Sequence, residues 1–89
     1  MGRAAPQISD QQAQDGILEL LAKRSATASI CPSEVARALS PVQWRPLLPL
    51  VREAARKLAR ARAIEIRQRG RVISPDSDFV GPIRLCKVS

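Results

Sequence analysis

Apolar positions along this chain fall into three stretches of helical spacing followed by three of alternation. In the first, Ala13, Ile17, Leu18, Leu20 and Leu21 recur at the spacing of one helix face. Ser9, with Gln12 three residues on, supplies the capping-box signature that starts this helix. The pattern fades near Ser25 into the small polar linker Ala26-Thr27-Ala28-Ser29, which has room for a short strand. The second stretch opens at Cys31-Pro32-Ser33-Glu34. With Cys31 as N-cap, Pro32 takes the first helical position, Glu34 the third, and Ile30 and Val35 make a hydrophobic staple. A thiol caps less well than a hydroxyl because it is a weak acceptor. Val35, Ala36 and Leu39 complete a short helix that Ser40-Pro41 ends.

The third stretch is longer and carries the chemistry. Pro41, Pro46 and Pro49 cannot all sit inside one regular helix. The spacing therefore predicts a single turn near Pro41–Trp44, then a helix entering between Pro46 and Pro49 and running to about Arg62. Leu47, Leu50, Val51, Ala54, Leu58 and Ala61 fall on one face of it. Arg45, Arg52, Arg56 and Arg60 cluster opposite, with Lys57 at the margin and Glu53 as the helix's one acid. A merely solvated face would more typically mix signs in i,i+4 pairs.

Alternation follows. Ile64-Glu65-Ile66 reads as a half-buried strand and Val72-Ile73 as its return. Between them Arg69-Gly70 makes the turn, with Gly70 supplying the positive φ that hairpin turns need. Arg67, Arg69 and Arg71 crowd this tip, either to anchor phosphates or to protect a strand edge with charge. Ser74-Pro75-Asp76 breaks the strand, and residues 81–88 alternate again as a third strand or a segment docked across the ribbon. Trp44 is read as a core or helix-junction anchor. Three helices and a small antiparallel sheet, in this order, predict an α+β winged helix-turn-helix.

Composition narrows the classes. The 89 residues suit one small domain, read as a leader at 1–8 and a single unit at 9–89. Fifteen Lys and Arg against eight Asp and Glu give a net charge of +7. All but Arg3 and Lys23 of those cations lie from Arg24 onward, so the excess belongs to the predicted fold. Such a surface attracts polyanions through phosphate contacts and counterion release. No apolar run approaches the roughly 18 residues of a membrane span, and the start lacks a signal-peptide core; a cytoplasmic protein without membrane contact is expected. Histidine is absent, and Cys31 and Cys86 have no metal-ligand spacing, so no metal or cofactor is expected. No nucleophile-and-base arrangement appears, which argues against an enzyme.

Four motifs taken together resemble a known family: Pro32-Ser33-Glu34-Val35-Ala36-Arg37, Trp44-Arg45-Pro46-Leu47-Leu48-Pro49, Val51-Arg52-Glu53-Ala54-Ala55, and Gly81-Pro82-Ile83-Arg84-Leu85. Over about residues 14–86 the chain is similar to the bacterial DUF3253 family, a small winged-helix-like domain of unknown function. The resemblance implies that architecture and no established activity. It departs from the family pattern at Cys31, where a Ser or Thr is expected, and near Ala63, where a Gly is expected.

Two functions follow from these residues. The first is duplex DNA binding, with the third helix in the groove, Arg52 and Arg56 nearest base edges, Lys57 and Arg60 near phosphates, Arg45 a further contact, and Arg67, Arg69 and Arg71 on the flanking backbone. Structured RNA is a variant of it, while 2% aromatic residues leave no stacking platform for single strands. The second is a protein-interaction module, pairing with a partner or a second copy through an exposed C-terminal edge strand.

Overall fold

The computed structural model describes residues 7–88. Helix α1 spans Asp10–Ala22, strand β1 Ser29–Ile30 and helix α2 Pro32–Leu39. A 3-10 turn at Arg45–Leu47 leads directly into helix α3, Leu48–Arg60. Strands β2 (Ile64–Gln68), β3 (Arg71–Ile73) and β4 (Arg84–Lys87) complete an α+β fold compatible with a winged helix.

Each helix start follows its sequence signal. The Ser9 hydroxyl accepts from Gln12 N–H at 3.1 Å, and Gln12 Oε1 accepts from Ser9 N–H at 2.9 Å. Ile8, at the end of the expected leader, packs against the core beside this cap. At α2 the anchoring half of the box is Glu34, whose carboxylate accepts from Cys31 N–H at 3.0 Å. That bond, with Arg24 at 2.9 Å, holds the Glu34 carboxyl below its ordinary value, against the opposing effect of desolvation.

The proline-rich connection differs in detail from expectation. Residues 41–43 form bends, with the Ser40 hydroxyl accepting from Gln43 N–H at 3.3 Å, and the helical turn comes later, at Arg45–Leu47. Pro46 and Pro49 each occupy the opening positions of a helical segment, where a backbone N–H has no partner to lose. Helix α3 ends at Arg60, earlier than the apolar spacing suggests. Ala63 N–H donates to Leu58 O at 2.9 Å and Arg62 N–H to Ala59 O at 3.0 Å, a Schellman stop. Arg62 holds the left-handed position of that motif, with φ of 63°, where glycine usually sits. Ala61 is consequently exposed, while Ala55, which the apolar spacing did not include, is buried.

The antiparallel sheet has the order β1-β4-β2-β3. The C-terminal strand therefore lies inside the sheet, bonded to β1 and β2, and the open edges are β1 and β3. This corrects the expectation of an exposed C-terminal edge. A last strand that alternates in sequence gives no sign of how many neighbours it has. The register aligns Ile66 with both Ile73 and Leu85, and Leu85 with Ile30, so these side chains share the face toward the helices. Ile17, Ile30, Val35, Val51, Ile66 and Leu85 are fully buried there. The ribbon turn places both central residues at positive φ, Arg69 at 54° and Gly70 at 80°. This is the geometry of a two-residue hairpin turn.

Candidate nucleic-acid interface

Three of the α3 cations predicted to contact DNA are bonded to the fold itself. The segment between β3 and β4 runs antiparallel along α3, as a strap. Arg60 Nε donates to the Asp76 carboxylate at 2.8 Å. One turn back, Arg56 Nη1 donates to the carbonyls of Pro75 and Ser77, both at 2.7 Å. Another turn back, Arg52 Nη2 donates to Gly81 O at 2.7 Å. The Phe79 ring, buried under the strap, lies 4.2 Å from the Arg56 guanidinium and 5.5 Å from that of Arg52. Lys57 points elsewhere and pairs with Asp10 of α1 at 3.3 Å. Hydrogen bonds from a charged donor contribute about 1.5–3 kcal/mol each, so Arg56 is a principal fastener of the strap.

The strap is internally shaped to receive them. Ser74 accepts from Ser77 N–H at 3.1 Å through its carbonyl and from Asp76 N–H at 3.1 Å through its hydroxyl. Gly81, with φ of 91°, turns the chain out of the strap toward β4. Beside it, Gln68 Nε2 donates to Val80 O at 2.8 Å and Pro82 O at 3.3 Å, tying the strap's end to the ribbon.

The ribbon tip is different. Arg69 and Arg71 are exposed, and their side chains have no hydrogen-bond or ion-pair partner among the described residues. Arg67 reaches back along its own strand to Glu65, at 2.9 Å, and this bond raises its pKa above the ordinary guanidinium value. A second exposed cationic cluster sits at the entry to α3. Arg37 of α2 and Arg45 stack on Trp44 at 4.4 and 4.5 Å from the ring centroid. Such contacts orient a guanidinium without neutralising it.

The family model described as Protein of unknown function (DUF3253) matches residues 10–88. The chain belongs to the DUF3253 family. The match runs from the first residue of α1 to just past β4, so it covers the whole described fold. No curated protein matches the chain.

Of the eight predicted contact residues in this DUF3253 chain, Arg45, Arg69 and Arg71 present unpaired guanidinium groups, the first of them stacked on Trp44. Arg67 is paired within the ribbon, and Arg52, Arg56, Lys57 and Arg60 are paired across elements. Three cations escaped the sequence reading. Arg37 joins through Trp44, a contact between separate elements that helix periodicity does not show. Arg62 is exposed at the α3 stop, and the glycine that the family resemblance led one to expect near Ala63 was its signal. Arg84 of β4 stands directly opposite Arg67, a register that no local pattern encodes.

Among the described residues no group of three or more Cys, Asp and Glu is placed to hold a metal ion. No described helix is long and apolar enough to cross a membrane.

Proposed function

We propose that this DUF3253 chain is a winged-helix nucleic-acid-binding domain that holds duplex DNA chiefly by its phosphates. The ribbon tip, with Arg69 and Arg71 beside Arg67, grips the backbone as a wing. The entry to α3, with Arg45 and Arg37 on Trp44, meets the duplex beside it. The observation that carries this reading is the pair of exposed, unpartnered arginines on a tight turn, in a chain of net charge +7. Arg52, Arg56 and Arg60 take a smaller part than their spacing suggests, because each would have to leave a bond of 2.7–2.8 Å to reach a base. Phosphate contacts fix position but carry little sequence information, so sequence preference is modest and salt dependence strong.

Fluorescence anisotropy against a random duplex of about 25 base pairs, at about 50 and 200 mM salt, tests this. The expected result is binding at low salt that weakens steeply at high salt and is blunted by Arg69→Ala with Arg71→Ala. Absence of binding at low salt refutes it.

One observation favours a protein-interaction role instead. Strand β3 is an open edge, its Val72 is 57% exposed, and beside it Val72, Pro75 and Val88 line an apolar hollow of about 240 Å³. Loss of a partner on Val72→Lys, with DNA binding intact, would support that role.

A further inference from the structure

Arg67 and Arg84 face each other across β2 and β4 on the outer side of the sheet. Like charges directly opposite destabilise a strand pair. Here they are drawn apart by bonds in different directions. Arg67 uses Nε and Nη2 on Glu65, at 3.3 and 2.9 Å, and Arg84 uses Nε and Nη2 on the hydroxyl and carbonyl of Ser29, at 2.8 and 3.0 Å. Each guanidinium is thus fixed along one edge, and its Nη1 is left without a partner among the described residues. Arg69, at the adjacent turn, adds a third guanidinium. The residues Arg67, Arg69 and Arg84 line one hollow of about 400 Å³, and Val80, Gly81 and Pro82 form another part of its wall. That wall offers few competing acceptors, because all three carbonyls already accept from Gln68 or Arg52.

We propose that this hollow is a site for a single phosphate group, received by the Nη1 donors of Arg67 and Arg84 and by Arg69. Of these three cations only Arg67 is paired with a carboxylate, that of Glu65, so the site retains a net positive charge for the anion to offset. Two forks pre-positioned by their neighbours lose little freedom on binding, and paired guanidinium donors match phosphate oxygens. For the source of that phosphate, a nucleic-acid backbone, the proposal rests on the function proposed above. Arg84 is the residue it adds.

The test uses the whole chain, with inorganic phosphate and a random duplex as separate probes. Arginine side-chain N–H resonances of Arg67 and Arg84 should shift saturably with phosphate and not with chloride at equal ionic strength. Arg84→Lys, which keeps the charge but not the fork, should weaken phosphate binding about tenfold. Arg84→Gln should lower the slope of log affinity against log salt for the duplex by about 0.9, the value of one phosphate contact. Arg69→Gly covers the case in which Arg84 variants unfold. It relieves a positive φ, so it should raise the melting temperature while weakening phosphate binding. No saturable shift, together with an unchanged salt slope, overturns the phosphate site and leaves duplex binding standing. Saturable phosphate binding without duplex binding keeps the site, assigns it to a small phosphorylated molecule, and overturns the nucleic-acid role.

Discussion

The arginines of α3 and those of the ribbon look alike in sequence: three at regular intervals, with few acids nearby. In the fold they differ in what they touch. Arg52, Arg56 and Arg60 fasten the strap through three carbonyls, a carboxylate and the face of Phe79. Arg69 and Arg71 touch nothing that neutralises them. A guanidinium satisfied by backbone carbonyls keeps its formal charge and adds to the field, but it is no longer free to bind. Net charge therefore counts both groups, whereas available donors count only one.

Removing a fastener should have the largest effect on the fold. Arg56→Ala strips two short bonds and the stack on Phe79. It should destabilise the chain by about 2–3 kcal/mol, a large part of the roughly 4–13 kcal/mol expected at this length. Urea unfolding reads the loss, and at temperatures where the variant stays folded its duplex affinity should fall little. If instead its affinity collapses while stability holds, the helix and not the ribbon carries binding.

The reverse pattern is expected at the tip. Replacing Arg67, Arg69 and Arg71 together by Ala should weaken duplex binding on the order of 30-fold at about 0.1 M salt and reduce the salt slope by about 2.7, with a change in stability below about 1 kcal/mol.

Much of the fold was legible because its determinants are local. The Ser9–Gln12 box, Pro32 at the first position of α2, the apolar stripe of α3 and the Arg69-Gly70 turn each lie within a few residues of what they determine. What the sequence hid is non-local. The partners of Arg52 and Arg56 lie 19 to 29 residues away and are carbonyl oxygens, which every residue has and no charge pattern shows. The position of β4 inside the sheet, and so the meeting of Arg84 with Arg67, likewise depends on pairings between distant segments.

Strain at the α3 stop gives a smaller, opposite effect. Arg62 occupies a left-handed conformation that costs a side chain about 1 kcal/mol relative to glycine. Arg62→Gly should therefore raise the melting temperature by about 4–8 °C. It should leave duplex affinity within about twofold; a larger loss would add Arg62 to the phosphate contacts.

The smallest effect concerns acid. Glu34 has a lowered pKa in the fold through the Cys31 N–H and Arg24. Its contribution is therefore fully present above the ordinary carboxylate value of 4.5 and is lost as pH falls through the lower folded value. Glu34→Gln should flatten the acid limb of the stability profile, measured by urea midpoints below about pH 5, and leave duplex binding near neutral pH unchanged.

The contrast between fastening and free arginines is tested most directly by one paired measurement on Arg69→Gly and Arg56→Ala: melting temperature and duplex affinity for each, at low salt. The account predicts opposite signs. Arg69→Gly should melt higher and bind more weakly, and Arg56→Ala should melt lower and, while folded, bind nearly as the parent does. Weaker binding by folded Arg56→Ala, with Arg69→Gly binding as the parent, would contradict it and return recognition to the face of α3.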